Sequence, residues 1–358
     1  MPVYLDRDTS SRRLLLQSRF GSDSGPADSE SALIRIGLVN NMPDGALEAT
    51  ERQFMTLLKL ASDRAPVLLS LYAMPDVYRT DSGRRYLGQS YSNIEKLWNA
   101  ELDGLIVTGA EPKAPILADE AYWPSLTKVI DWAERNTYST IWSCLAAQAA
   151  VLHMDGISRR PLGTKRFGIF QCARTSGHPL TDGILSPAPV PHSRWNDLSE
   201  GDLADCGYQI LTRSIEGADS FVKRTNSLFI LFQGHPEYDA DTLLREYLRD
   251  VKRFLRGDRL TYPSLPQEYF DEISADIFSR LRTRAMAERH DRLMETLPVI
   301  DIIGDRLVNR WRPNAIHIYR NWLRYLENEK ERRSRARSRR KTVDTEVAFS
   351  EATRVAEA

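Results

Sequence analysis

The fold is decided by the stretch STIWSCLAAQAAVLH, residues 139–153. Its start, from Ser139 to Ser143, predicts a strand, and the residues from Leu145 onward predict a helix. Cys144 alone separates the two. The pattern therefore places a cysteine at the carboxyl end of a strand and at the N-terminus of the helix that follows.

The same alternation extends to both sides of this stretch. Helical spacing of apolar residues at 47–61 and 123–135 alternates with strand-like apolar runs at 32–39, 67–72, 105–108 and 228–232. Strands alternating with helices predict an α/β fold with a doubly wound, mainly parallel sheet. Ligands of such sheets bind at the carboxyl ends of the strands, which directs attention to Gly109, Cys144 and residues 234–237.

Composition divides the chain into four parts. Residues 1–31 are rich in Ser, Asp, Arg and Gly and predict a disordered leader, whereas residues 32–258 hold the α/β pattern. Residues 328–358 begin with a run of Arg and Lys and predict a basic, disordered tail. Between them, residues 259–327 predict a helical extension that packs on the domain. This extension includes a long charged helix at 267–297, whose apolar face is Ile273, Ile277, Phe278 and Leu281.

The bulk composition is that of a soluble globular protein: 358 residues, 42% of them hydrophobic and 27% charged. Lys+Arg and Asp+Glu number 49 each, so no net charge draws the chain to nucleic acid or to a membrane surface. Three cysteines are too few and too sparse for a disulfide framework. We therefore expect a cytoplasmic protein without a signal peptide or a membrane span.

Cys144 is the first candidate catalytic residue. A thiol between a strand and a helix points out of the carboxyl edge of the sheet, where the helix dipole favours the thiolate, the reactive form. The backbone N–H of Leu145 is then free to stabilise an oxyanion. The alternative is a buried cysteine that acts as a small apolar side chain, the usual role of a free cysteine. The strand–Cys–helix pattern alone does not exclude that alternative.

His235 and Glu237 favour the catalytic interpretation because they also follow a strand, the apolar run LFILF at residues 228–232. His235 can take the proton of Cys144 and later that of an attacking hydroxyl. Glu237 can orient the imidazole and stabilise its charged form. The alternative is a surface loop in which His-Pro-Glu simply makes a turn.

Several motifs together make the sequence resemble the homoserine O-acyltransferase family, of the homoserine O-succinyltransferase type. GHPEYD at residues 234–239 resembles the hallmark of the family, and CLAAQA at 144–149 matches another motif, with Ala146 where the family usually has Gly. The resemblance covers residues 33–326, and motifs in one order are far more specific together than singly. The other matches are NMP at 41–43, TERQF at 50–54, KRFGIF at 165–170, PHSR at 191–194, NRWR at 309–312 and NWL at 321–323.

The resemblance implies a class I glutamine-amidotransferase-like fold, of flavodoxin-like type, and an acyl-CoA:L-homoserine O-acyltransferase that catalyses the first committed step towards methionine. It implies a ping-pong reaction in which Cys144 takes the acyl group as a thioester and homoserine accepts it. No metal or redox cofactor is needed. The family also suggests a homodimer. Carried over by position, His235 is the proton acceptor, Glu237 is its partner, and substrate binds to Lys165, Ser193 and Arg249.

Two positions depart from the family pattern. After Pro43 the family carries a lysine pair that assists the oxyanion, but this sequence has DGAL at residues 44–47, which leaves a backbone N–H near Gly45 as a candidate donor. In the loop that lines the acyl pocket of the family, a small residue accompanies succinyl and a glutamate accompanies acetyl. That position falls on Lys113, whose cation can pair with the carboxylate of a succinyl group. We therefore expect succinyl-CoA as the donor in preference to acetyl-CoA.

Three other functions remain open on the sequence. The missing lysine pair allows a related acyltransferase that acts on another hydroxyl amino acid. A glutamine amidotransferase shares the Cys/His/Glu arrangement, but this chain has no room for the synthetase that such a domain serves. A non-catalytic binding protein, whose basic tail grips an acidic partner, is the third.

Overall fold

The structure is a computed structural model that describes residues 1–6, 33–294 and 303–356. The strands in these residues are β1 Val3–Leu5, β2 Ile34–Val39, β3 Val67–Tyr72, β4 Gly104–Val107, β5 Ser139–Ser143, β6 Arg160–Arg174, β7 Ala188–Asp197, β8 Gln209–Ser214, β9 Gly217–Arg224 and β10 Leu228–Phe232. They form one sheet in the order β1-β3-β2-β4-β5-β10-β9-β8-β6-β7.

The first six strands in this spatial order, β1-β3-β2-β4-β5-β10, are parallel to one another. Their side chains alternate between two core clusters, so that Leu105 and Val107 of β4 enter one and Ile106 enters the other. The sequence of a parallel strand that is buried on both faces is a nearly continuous run of apolar residues. The predicted α/β fold with a mainly parallel sheet is therefore confirmed.

Helices cover both faces of this sheet, as a doubly wound fold requires. On one face lie Phe54 and Trp322, and on the other Val129 and Ala147. Among the described residues, no helix combines the length and the apolar character needed to cross a membrane. The helices are α1 Leu47–Ala61, α2 Asp81–Ser90, α3 Trp123–Asn136, α4 Leu145–Asp155, α5 Glu200–Asp205, α6 Thr242–Arg256, α7 Glu272–Ala287 and α8 Arg312–Ala356.

The other half of the sheet runs antiparallel through β9, β8, β6 and β7. A third core cluster joins it to the helices that follow: Phe167 of β6 packs with Tyr247 of α6 and Phe278 of α7. This cluster holds α6 beside β6. Polar residues of both elements consequently face one cavity.

The N-terminal part of the chain differs from the predicted disordered leader, residues 1–31. Val3–Leu5 forms β1, which pairs in parallel with β3 and lies against the apolar cluster under α1 and α8. Val3 and Leu5 are partly buried there, and apolar burial at the free edge of β3 explains the pairing. Residues 7–31 of the predicted leader lie outside the described residues.

The charged helix expected at residues 267–297 is shorter in the structure, because α7 spans Glu272–Ala287. Before it, the backbone of Gln267 bonds to β6 through Phe167 O and the N–H of Ile169. Asp271 then caps the helix, accepting from the N–H of Ser274 at 2.8 Å. Of the predicted apolar face, Phe278 and Leu281 are buried, Ile277 is partly buried and Ile273 is exposed. After α7 the chain leaves the α-helix and makes only a short 3-10 turn at Asp291–Met294, so the predicted continuation of the helix is wrong up to Met294, and residues 295–297 lie outside the described residues.

The predicted disordered tail, residues 328–358, is helical as far as Ala356, because α8 runs without interruption from Arg312. No Gly or Pro occurs after Pro313, and Ala, Arg, Glu and Lys are strong helix formers. The first residues of this predicted tail pack on the α/β domain. The Nζ of Lys330 donates to Leu33 O at 2.7 Å and to Asp103 Oδ2 at 2.8 Å.

We expect α8 to be part of the cooperative unit of the domain, so Trp322→Ala should lower the free energy of unfolding by about 3–5 kcal/mol. Trp322 is fully buried, donates to Ser139 Oγ at 3.0 Å and lies so close to Gly104 that a Cβ there would be 2.9 Å from its ring. Chemical denaturation of the full chain measures the change, with the exposed Arg332→Ala on the same helix as control. An equal, small effect of both variants would contradict this packing.

Candidate active site

Cys144 occupies the sharp turn between β5 and α4. Its φ of 52° and ψ of −109° lie in a region that non-glycine residues rarely adopt. The turn is held because the N–H of Cys144 donates to Phe232 O of β10 at 2.7 Å. Such backbone strain persists only where the surroundings enforce it, and it is concentrated at functional sites. The side chain is half-buried and lines a cavity of about 260 Å³.

His235 and Glu237 reach this cysteine from the loop after β10. The Nδ1 of His235 lies 2.9 Å from Glu237 Oε1, which also accepts from Ser143 Oγ at 3.0 Å. The imidazole stacks on the ring of Tyr238 with centroids 4.1 Å apart. With Nδ1 directed to Glu237, the other ring nitrogen of His235 is left for Cys144, which lines the same cavity. The geometry therefore brings the three predicted catalytic residues together in one constellation.

The charge state of His235 follows from its neighbours. Burial lowers the pKa of its imidazole, but the charges of Glu237 and Cys144 outweigh burial and raise that pKa well above its ordinary value. The imidazolium is consequently stabilised at neutral pH, and an imidazolium beside the thiol favours the thiolate.

Two backbone segments meet beside Cys144. A Cβ added to Gly109, just after β4, would lie 2.7 Å from Leu145 Cβ and 3.2 Å from Leu145 N, so only glycine fits there. Leu145 opens α4, where an N–H has no acceptor within the helix. Gly109 lines the cavity, whereas Gly45 does not. The neighbouring Asp44 is instead tied to Arg79 and Thr80.

The predicted binding residues Lys165, Ser193 and Arg249 line the same cavity. They meet two carboxylates of α6 for which the sequence analysis assigned no role, Glu246 and Asp250. Lys165 Nζ lies 3.6 Å from both carboxylates, Ser193 Oγ donates to Glu246, and Arg249 Nη2 lies 3.1 Å from Asp250. Glu246 and Asp250 are four residues apart and flank Arg249, a spacing that places all three on one face of a helix and could have identified them.

Lys113, predicted to select the acyl group, is not among the residues that line the cavity. Its side chain is exposed, with Nζ 4.6 Å from the centroid of the Tyr78 ring. The reason is the backbone: Glu120 Oε1 accepts the N–H groups of Lys113 and Ala114 at 2.6 and 2.7 Å, which holds the loop with this side chain outward. The position of Lys113 therefore gives no support to its predicted role.

A model of the homoserine O-succinyltransferase family matches residues 3–332 of the chain. The homoserine O-succinyltransferase of Bradyrhizobium japonicum is 45% identical over 295 residues, which cover 82% of this chain and 90% of that protein. The enzyme of the same name from Rhodopseudomonas palustris is 46% identical over 298 residues, 83% of this chain and 89% of that protein. The chain belongs to the homoserine O-succinyltransferase family. The prediction of an acyltransferase is thereby confirmed.

Among solved structures, the chain is similar to a glutamine amidotransferase from Methylobacillus Flagellatus. The identity is 14% and the TM-score 0.46, over 82% of this chain and 95% of that one.

A second group of side chains could in principle hold a metal ion. The ligand atoms of Cys172, His192 and Asp219 lie within 4.8 Å of one another and are buried. Two of them form an ion pair, Asp219 with His192 Nε2 at 3.2 Å, and Asp219 also accepts from Thr212 Oγ1 at 2.8 Å. Burial also raises the pKa of the Cys172 thiol, which disfavours the thiolate that a metal requires. We interpret the group as structural support for β7 and β9.

The interaction of Glu237 with His235 predicts the reactivity of Cys144. In Glu237→Gln the charge that contributes most to raising the pKa of His235 is lost, so that pKa falls. With less imidazolium beside the sulfur, alkylation of Cys144 by iodoacetamide at neutral pH should slow. Peptide mapping against pH gives the rate at Cys144, with the exposed Glu101→Gln as control. An unchanged alkylation profile would mean that Glu237 does not set the charge of His235.

Proposed function

We propose that the chain is an acyl-CoA:L-homoserine O-acyltransferase that uses succinyl-CoA in preference to acetyl-CoA and works through a thioester on Cys144. One observation carries the proposal. Cys144 and His235 line the same cavity as the polar cluster, which consists of Lys165, Ser193, Glu246, Arg249 and Asp250. Membership of the homoserine O-succinyltransferase family supports the choice of both substrates. The product would commit homoserine to methionine synthesis.

In the first half-reaction the thiolate of Cys144 attacks the thioester carbonyl of the donor. A carbon–sulfur bond forms, and the carbonyl oxygen takes up negative charge beside the N–H of Leu145, at the positive end of α4. When the tetrahedral intermediate collapses, the bond to coenzyme A breaks. The imidazolium of His235 can give its proton to the departing thiolate. The enzyme then holds the acyl group as a thioester.

In the second half-reaction the hydroxyl of homoserine attacks that thioester. His235, now neutral, takes the hydroxyl proton while the new carbon–oxygen bond forms, and Glu237 stabilises the imidazolium that results. Collapse of the second intermediate releases the ester and restores the thiolate–imidazolium pair. Transfer from a thioester to an oxygen ester is downhill, so the protein needs to supply only positioning and proton transfer.

The polar cluster fits the zwitterion of an amino acid. Arg249 and Lys165 are the cations that would bind the α-carboxylate, and Arg can do so with two parallel hydrogen bonds. Glu246 and Asp250 are the acids that would bind the ammonium group. Each charge of the cluster has a partner of opposite sign in the free protein, so the binding residues are positioned before substrate arrives.

Cys144→Ala should abolish both turnover and the covalent adduct, because the acyl carrier is gone. Intact-mass spectrometry after incubation with succinyl-CoA, without homoserine, should show one added succinyl group on the wild type and none on the variant. Cys206→Ala, a half-buried thiol that does not line the cavity, is the control and should keep the adduct. An adduct that survives in Cys144→Ala, or that maps to Cys172, would refute the assignment.

Arg249→Lys tests the binding of homoserine separately from acylation. Losing the forked pair of N–H groups should raise the KM for homoserine about tenfold or more, while adduct formation from succinyl-CoA stays close to the wild-type rate. The same change at Arg245, an exposed residue of α6 paired with Asp241, is the matched control. If Arg249→Lys slows acylation as strongly as it raises the KM, Arg249 acts on the donor instead. Replacing homoserine by serine in the wild type shows whether another hydroxyl amino acid is accepted.

A further inference from the structure

Nearly every cation of the cavity wall is already paired with a carboxylate. The pairs are Lys165 with Glu246 and Asp250, Arg194 with Asp197, Arg249 and Arg259 with Asp250, and Arg253 with Glu111. Among the lining residues that the structure describes, Arg159 is the cation that forms no such ion pair. An anionic group of a ligand therefore finds an uncommitted positive charge at this position.

Arg159 lies between α4 and β6, two elements that frame the site. Its Nη2 donates to the backbone carbonyl of Pro115 at 3.2 Å, which ties the guanidinium to the loop after β4. Its Nη1 is buried and has no hydrogen-bond partner in the described structure. Arg159 and Cys144 line the same cavity, so the guanidinium and the atom that would carry the acyl group face one space.

Glu120, the acid whose charge acts on this guanidinium, forms no ion pair with it. Glu120 is buried, and its Oε1 is occupied by the backbone N–H groups of Lys113 and Ala114. A buried N–H without an acceptor is unfavourable, and the cost is greater when the group is charged. A ligand carboxylate placed against Nη1 would remove this cost and gain a charge-assisted hydrogen bond.

We propose that Arg159 binds the free carboxylate of the succinyl group, both in the acyl donor and in the thioester on Cys144. This inference rests on the proposed function, and it assigns the selection of the acyl group to Arg159 in place of Lys113. In a succinyl thioester two methylenes separate the reacting carbonyl from the carboxylate. A cation that lines the same cavity as Cys144 can meet that carboxylate, whereas the outward-facing Lys113 cannot. An acetyl group has no carboxylate and leaves Nη1 without a partner.

The test compares kcat/KM for succinyl-CoA and acetyl-CoA, at saturating homoserine, in the wild type and in Arg159→Gln. We expect the wild type to favour succinyl-CoA and the variant to lose about tenfold to a hundredfold with that donor, with little change for acetyl-CoA. Arg159→Lys keeps the positive charge but loses the forked pair of N–H groups. Its kcat/KM for succinyl-CoA should therefore lie between the values of the wild type and Arg159→Gln. Arg160→Gln is the matched control, because Arg160 is exposed, pairs with Asp202 and does not line the cavity.

A purely structural role gives a different pattern. If Arg159 only holds the loop through Pro115, its replacement should lower kcat/KM for both donors by the same factor, and an unchanged donor ratio overturns the inference. Thermal unfolding identifies a variant that fails to fold, in which case the ratio in Arg159→Lys decides. If the wild type acylates no homoserine with either donor, the proposed function fails separately. Intact-mass rates of adduct formation from the two donors then still test Arg159.

Discussion

The parallel pairing of β5 with β10 is the constraint on which the site depends. Phe232 is in register with Ser143, so the two strands end together, and Cys144 is fastened to Phe232 O by its own N–H. This single register places Cys144, the proposed nucleophile, after one strand and His235, its proposed base, after the next, although 91 positions separate them in the chain. It also enforces the positive φ of Cys144, which no local preference of cysteine would produce. A register shift of one residue would reverse the face of every side chain on the strand.

Around this edge nearly every buried charge has a partner of opposite sign. Burying an isolated ion is costly, whereas a partner of opposite sign at hydrogen-bond distance offsets much of that cost. His235 with Glu237, and Lys165 with Glu246 and Asp250, follow this logic and hold the functional groups in place before substrate binds. Arg159 departs from it, and the departure makes it informative: a residue that breaks the pattern beside a nucleophile points to a ligand.

The C-terminal helix explains why the family match runs as far as residue 332. Trp322 packs across the sheet against Gly104 and bonds to Ser139, the first residue of β5. Trp311 and Asn309 donate to Tyr238 O, immediately beside the catalytic loop. One end of this segment thus supports the strand that leads to Cys144, and the other supports the loop that carries His235. What resembled an appendage in composition is a structural part of the site.

The sequence by itself determined the α/β fold, the strand–Cys–helix turn and the family, because each rests on local periodicity or on ordered motifs. It also predicted that Cys144, His235 and Glu237 lie together, since parallel strands bring their carboxyl ends to one edge. Only the tertiary structure decided which charges pair and which face the cavity. Lys113 was predicted to read the acyl group, yet Glu120 holds its backbone so that the side chain points outward. Glu246 and Asp250 were given no role although their helical spacing places them on one face with Arg249, and Arg159 was overlooked because its role arises from contacts between elements distant in the chain. A residue's partners in space, which no local pattern encodes, determine whether its charge is available to a ligand.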